Sequence, residues 1–212
     1  MPSVTVYDLD RNKVGTVELI DSVFAADVKP HLINMAVRAQ VAKRYAHKVA
    51  NSMTRTEVQA TGKKIYKQKG TGQARHGDIK APIFVGGGKA HGPRPHVASY
   101  KINKKVMRAA LLSSLSLHQK EDRVIVVDKM ELPKPNTKGI SKALSQFGLE
   151  KALIVNMKDK PEQVSFNTSA KNIRNVKFVS PEGVNVFDLL KYKHLFISKE
   201  AISKLMERLN HA

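Results

Sequence analysis

Apolar residues gather into short runs and helical stripes toward the two ends of this chain and thin out between them. Ser3-Val4-Thr5-Val6-Tyr7 and Val14-Gly15-Thr16-Val17-Glu18-Leu19 alternate as short strands do, with Asp10-Arg11-Asn12-Lys13 supplying turn chemistry between them. Pro30 suits a first helical turn; from there Ile33, Val37, Val41 and Tyr45 recur every fourth residue and predict an amphipathic helix to about Ala50. A second helix is expected from Asn103 to Gln119, with Met107, Ala110, Leu111, Ser114 and Leu115 on its buried face. Buried strands are then expected at Val124–Val127, Ala152–Val155, Val176–Val179 and Leu195–Ile197. Helical patterns separate them: Ile140, Ala143, Leu144 and Phe147 with Gly148 as a stop, then 165–172, then Val186–Leu190. A final helix takes Ser198 as N-cap and Glu200 in its first turn, with Ile202, Leu205, Met206 and Leu209 on one face. The alternation predicts an α/β fold, a three-layer, mostly parallel sheet flanked by helices.

Residues 51–100 do not fit that scheme. Eight of the twelve glycines lie between Gly62 and Gly92, and large apolar side chains are sparse. Such a segment buries too little apolar surface to offset its backbone entropy. One domain is therefore expected over 1–212: a core of 1–50 and 101–212, with 51–100 as a long basic, Gly-rich loop extending from it. Folded back on itself, such a loop reaches at most about 80 Å.

Charge sharpens the picture. The chain carries 37 Lys and Arg against 18 Asp and Glu, a formal net charge of +19. Residues 43–108 hold 16 of the basic residues and two of the acids, Glu57 and Asp78. A run with so few interleaved acids repels itself unless a polyanion covers it, and nucleic acid is the expected partner. With no cysteine, a disulfide framework and thiolate zinc sites are excluded. No apolar run approaches the length of a membrane span, and the first residues read straight into a strand, so neither a membrane partner nor a signal peptide is expected.

Enzymatic readings find little to stand on. Gly70-Thr71-Gly72-Gln73-Ala74-Arg75-His76-Gly77 resembles a dinucleotide fingerprint, but its third glycine falls two places late and no strand precedes it. Gly72 to Gly77 has Walker A spacing, yet Asp78 stands where the lysine belongs. His91 and His96 lack an acidic companion and sit near Lys89 and Arg94, which would repel a cation. Those two imidazoles are expected to face RNA or solvent. Asn167-Thr168-Ser169 matches a glycosylation sequon by pattern alone. No catalytic residue, metal site or cofactor is expected, and the protein is read as a non-enzyme.

Irregular RNA suits the segment better than duplex DNA. Tyr66, Phe84 and Tyr100 offer rings for splayed bases, and no zinc finger, basic zipper or helix-turn-helix pattern is present. Candidate RNA-binding residues are Lys43, Arg44 and Lys48 on the first long helix; Arg55, Lys63, Lys64, Tyr66, Lys67, Lys69, Arg75, Lys80, Lys89 and Arg94 in the loop; and Lys101, Lys104, Lys105 and Arg108 around the start of the second helix. Cations at a helix N-terminus cost about 0.3–1 kcal/mol each, and a phosphate held there reverses the sign.

The run Thr61-Gly62-Lys63-Lys64-Ile65-Tyr66-Lys67-Gln68-Lys69-Gly70-Thr71-Gly72-Gln73-Ala74-Arg75-His76-Gly77 resembles the signature loop of the large-subunit ribosomal protein L-four (universal uL-four) family. Ile83-Phe84-Val85-Gly86-Gly87-Gly88, Gly92-Pro93-Arg94-Pro95, Asn103-Lys104-Lys105 and Arg108-Ala109-Ala110-Leu111 continue the match. Tyr66 stands where a tryptophan is usual and keeps a ring; Gln73 stands where an arginine is usual and removes a cation. The compact length looks bacterial or organellar. The resemblance implies a structural constituent of the large ribosomal subunit, cytoplasmic and ribosome-bound, that binds large-subunit (23S-type) rRNA early in assembly beside neighbouring large-subunit proteins. It implies that the loop tip, here Gln68, Lys69, Gly70, Thr71 and Gly72, helps line the peptide exit tunnel. Some members also bind their own operon messenger. The rival readings are an enzyme built on the sheet and a free-standing regulatory or architectural nucleic-acid binder.

Overall fold

The first hairpin turns through Arg11, a non-glycine residue at φ 65°, where the Arg11 N–H donates to the Asp8 carbonyl at 2.9 Å and the Asp8 N–H to the Asn12 carbonyl at 2.9 Å. It joins β1 (Ser3–Tyr7) to β2 (Lys13–Glu18), antiparallel, with Ser3 opposite Glu18. Residues 2–45, 50–95, 100–159 and 161–210 are described by the computed structural model. They divide into two units, Met1–Gln40 with Lys101–Ala212, and Val41–Tyr100.

In the first unit the chain runs through α1 (Asp21–Phe24), α2 (Pro30–Tyr45, its last turn in the second unit), α3 (Lys104–Lys120), β3 (Val124–Val127), α4 (Thr137–Gln146) and β4 (Ala152–Val155). It continues through α5 (Pro161–Lys171), β5 (Val176–Val179), a short 3-10 turn (Pro181–Gly183), α6 (Val186–Lys191), β6 (His194–Ser198) and α7 (Lys199–Asn210). The six strands form one sheet in the order β2-β1-β3-β6-β4-β5. All neighbours beyond the hairpin are parallel: Val6 pairs with Val126, Val124 with Leu195, Ala152 with both His194 and Val176.

Strand side chains alternate between two buried clusters, one on each face. Val126, Leu153, Val155, Leu195 and Ile197 pack with Phe24, Ile33, Ala36, Leu115, Leu189, Ile202 and Leu205. Val127, Ala152, Ile154 and Phe196 pack with Ile140 and Leu144 of α4 and Phe166 and Ala170 of α5. Helices thus flank a six-stranded sheet in a mixed α/β fold. Removing a buried side chain such as Leu153 costs about 2–5 kcal/mol at such sites.

Several boundaries differ from the expectation. α2 is described only to Tyr45; residues 46–49, Lys48 among them, lie outside the described residues, and Ala50 belongs to no helix. Its buried residues are Ile33, Ala36 and Ala39, while Tyr45 is exposed. α5 begins at Pro161, four residues before the expected start. α1 was not anticipated: four residues carry no periodicity, yet Val23 and Phe24 are buried. α3 fixes that turn with serines, since the Ser116 hydroxyl donates to the Val23 carbonyl at 3.2 Å and accepts from the Ala26 N–H at 3.0 Å, and Ser113 donates to the Asp27 carbonyl at 3.1 Å. Two stop and start signals hold. Gly148 follows α4 at φ 69°, and the Ser198 hydroxyl accepts the Ala201 N–H at 3.3 Å.

The histidines do not all face outward. His118 is buried, and its Nε2 donates to the Leu189 carbonyl at 2.9 Å. Burial holds its pKa below the ordinary value, and Nδ1 has no partner. Among the described residues no helix is long and apolar enough to cross a membrane.

Candidate nucleic-acid interface

The described residues of the second unit after α2 form turns and bends with no helix or strand, as so few apolar side chains dictate. They are nevertheless tied into a definite path. At its base the Ser52 N–H donates to the Pro93 carbonyl at 3.1 Å and the Lys89 N–H to the Met53 carbonyl at 2.8 Å. Arg94 pairs with Glu57 at 2.6 Å and donates to the Thr54 hydroxyl at 3.1 Å. The guanidinium, and next the Thr54 N–H, hold the Glu57 carboxyl below its ordinary pKa. Arg94 therefore closes the base of the segment and neutralises one of its two acids.

Further out, residues 64–66 and 74–77 run side by side. The Ile65 N–H donates to the Gly77 carbonyl at 3.0 Å, Lys64 Nζ to the His76 carbonyl at 2.8 Å, and the Tyr66 hydroxyl to the Ala74 carbonyl. Between them the chain turns through Gly70 (φ 84°) and Gly72 (φ 66°), and Gln68, Lys69, Gly70, Thr71 and Gly72 are all exposed. The rings of Tyr66 and Phe84, expected to stack on bases, meet His76 edge-on at 6.3 and 5.1 Å between centroids. Tyr100 is exposed. Sequence reasoning passed over His76, because an isolated histidine gives no periodic signal.

Lys43, Arg44, Arg55, Lys63, Lys64, Lys67, Lys69, Arg75 and Lys89 are exposed, and Lys80 is half-buried. In the first unit Lys101, Lys104 and Lys105 are exposed. The Asn103 side chain makes no cap bond, and the first turn of α3 holds no acid, so its N–H groups are left for an anion. Lys104 and Lys105 rim a groove of about 700 Å³ lined by Met107, Leu111, Leu112 and Leu209. Arg108 lines the same groove but is engaged within the unit: its guanidinium donates to the Leu209 carbonyl and, at 3.5 Å, to that of Asn210. It caps the C-terminus of α7, where a cation is favourable.

Among the described residues no cluster of three or more His, Asp or Glu side chains is placed to hold a metal ion. The model of the ribosomal protein L4/L1 family matches residues 17–208. The chain belongs to that family. A large ribosomal subunit protein uL4 from Geobacter sulfurreducens is 44% identical over 202 residues, covering 95% of this chain and 96% of the relative. Proteins of the same name from Pelobacter propionicus and Magnetococcus marinus are each 40% identical, over 99% of this chain and the whole of the relative. Ribosomal proteins of this family are structural components and not enzymes.

Proposed function

We propose that this chain is a structural constituent of the large ribosomal subunit, held there by large-subunit rRNA and by neighbouring large-subunit proteins in the cytoplasm. The observation that carries the reading is the charge of residues 43–108, 16 Lys and Arg against two acids, one of which Arg94 already pairs with. Phosphate is the chemistry that charge fits. The names of its bacterial relatives point to the same assembly. Residues 51–100 are the rRNA-binding loop and 1–50 with 101–212 the core that carries it. Early binding in assembly is what the resemblance to the family implies. Gln68, Lys69, Gly70, Thr71 and Gly72 lie exposed and well inside the loop, with no large apolar side chain among them, and form its tip; that this tip lines the peptide exit tunnel is what the resemblance to the family implies.

Sedimentation tests the reading. The tagged chain should co-migrate with large subunits through a high-salt gradient; migration as a free protein or with another complex favours the free-standing binder. Lys69→Glu should leave incorporation nearly intact and alter footprints of drugs that occupy the tunnel, whereas Lys105→Glu should lower incorporation. Loss of incorporation in Lys69→Glu, or unchanged tunnel footprints, removes the tip assignment.

A further inference from the structure

We propose that the turn carrying Ile83 and Val85 is an apolar wedge seated against the bases of the bound RNA, a contact that salt does not weaken. The inference rests on the rRNA-binding reading above and adds a second kind of contact to it.

Neighbouring side chains at this turn face opposite ways. Phe84 is half-buried against His76, while Ile83 is 69% exposed and Val85 fully so. A single exposed apolar residue is unremarkable in a folded protein. Two on one turn, held in place by the backbone, form a shaped projection. The Phe84 N–H donates to the Ala81 carbonyl at 3.1 Å, the Gly87 N–H to the Phe84 carbonyl at 3.0 Å, and the Gly88 N–H to the Lys80 carbonyl at 3.0 Å. A Cβ on Gly87 would overlap the Ala81 carbonyl, and one on Gly88 would overlap the backbone of Thr54 and Arg55. The turn therefore packs directly onto the 54–55 backbone, and glycine is what allows it. Ile and Val are β-branched and stiff at χ1, so little rotamer freedom remains to be lost on contact.

The surroundings select the partner. Lys80 and Lys89 flank the turn in sequence, Arg55 lies against it through Gly88, and no acid occurs between Asp78 and Glu121. Apolar side chains framed by cations fit an RNA surface, with phosphates around and an accessible base face or opened base step between. An apolar protein surface would leave those cations unanswered.

The test titrates the full chain with in vitro transcribed large-subunit rRNA across a potassium chloride series. Ile83→Ser with Val85→Ser should weaken binding about ten-fold at every salt concentration and leave the slope against salt unchanged. Val85→Thr, close to isosteric at a fully exposed site, should show part of that loss with an unchanged unfolding midpoint. Lys80→Gln should lower the slope instead. Because the chain has no cysteine, Val85→Cys accepts a single tethered iron chelate, whose hydroxyl radicals should cut the rRNA at one locus. Parental affinity in both serine and threonine variants overturns the wedge and leaves the rRNA reading intact. A loss that appears only with assembled subunits and not with naked rRNA assigns the turn to a protein neighbour and also overturns it. Failure of the parent chain to bind rRNA defeats the underlying reading itself.

Discussion

Arginines that count alike in a net charge part company once their partners are known. Arg94 is spent on Glu57, Arg108 on the C-terminal carbonyls of α7, and Arg75 stands exposed on the loop. His118 carries the residue-scale prediction. Desolvation keeps it neutral in the folded chain, with a pKa below the ordinary 6.5, while the unfolded chain protonates it normally. Stability from the neutral form is thus complete above that value and is lost as pH falls through it toward the folded pKa. His194, lowered by desolvation and then by Lys193, acts in the same direction. The unfolding midpoint should drop as pH falls below the ordinary 6.5, and His118→Gln should reduce the drop without abolishing it. An equal drop in parent and variant removes His118 as the source.

At the scale of elements, the start of α3 makes two separable predictions. Lys104→Gln with Lys105→Gln should reduce the salt slope of rRNA binding by about two and leave thermal stability alone. Arg108→Gln should do the reverse, costing about 1–3 kcal/mol as the α7 carbonyls lose their donor; salt titrations beside melting curves separate the two. The strands were legible because four short, mostly apolar runs admit no other reading once helices alternate with them. The face of α2 was not. Stepping every fourth residue drifts about 40° per step on a helix of 3.6 residues per turn, so by Tyr45 the stripe has left the core. Ala36 and Ala39, which are small, hold the buried face. Pro161 and Glu162 were start signals of the same kind as Pro30. The candidate site was proposed from a concentration of charge, which is additive along the sequence. The Arg94–Glu57 pair, the Tyr66–His76–Phe84 contacts and the capping by Arg108 join residues up to 101 positions apart, and no local pattern encodes them.

For the whole molecule, the proposed division between a core and an rRNA-binding loop makes its own prediction. Among the described residues, neither buried cluster includes any member between 41 and 100. Replacing 55–97 by a short Gly/Ser linker should leave one cooperative thermal transition, since closing a long loop costs only slightly more than closing a short one. The same variant should lose most of its rRNA affinity. Loss of the transition would show that the segment belongs to the core.

The place of β6 in the sheet bears on how the chain is made. It lies between β3 and β4, yet follows both in sequence and forms at 194–198. A ribosome synthesising this chain releases β2-β1-β3 and β4-β5 as two separate half-sheets, each with an apolar strand edge unpaired. They cannot be joined until nearly all the chain has emerged. A chain stopped after Lys193 should aggregate where the full chain stays soluble, as pelleting assays of the two would register. Folding is thereby deferred to the close of translation, and the step that completes the sheet is a strand insertion between two waiting halves.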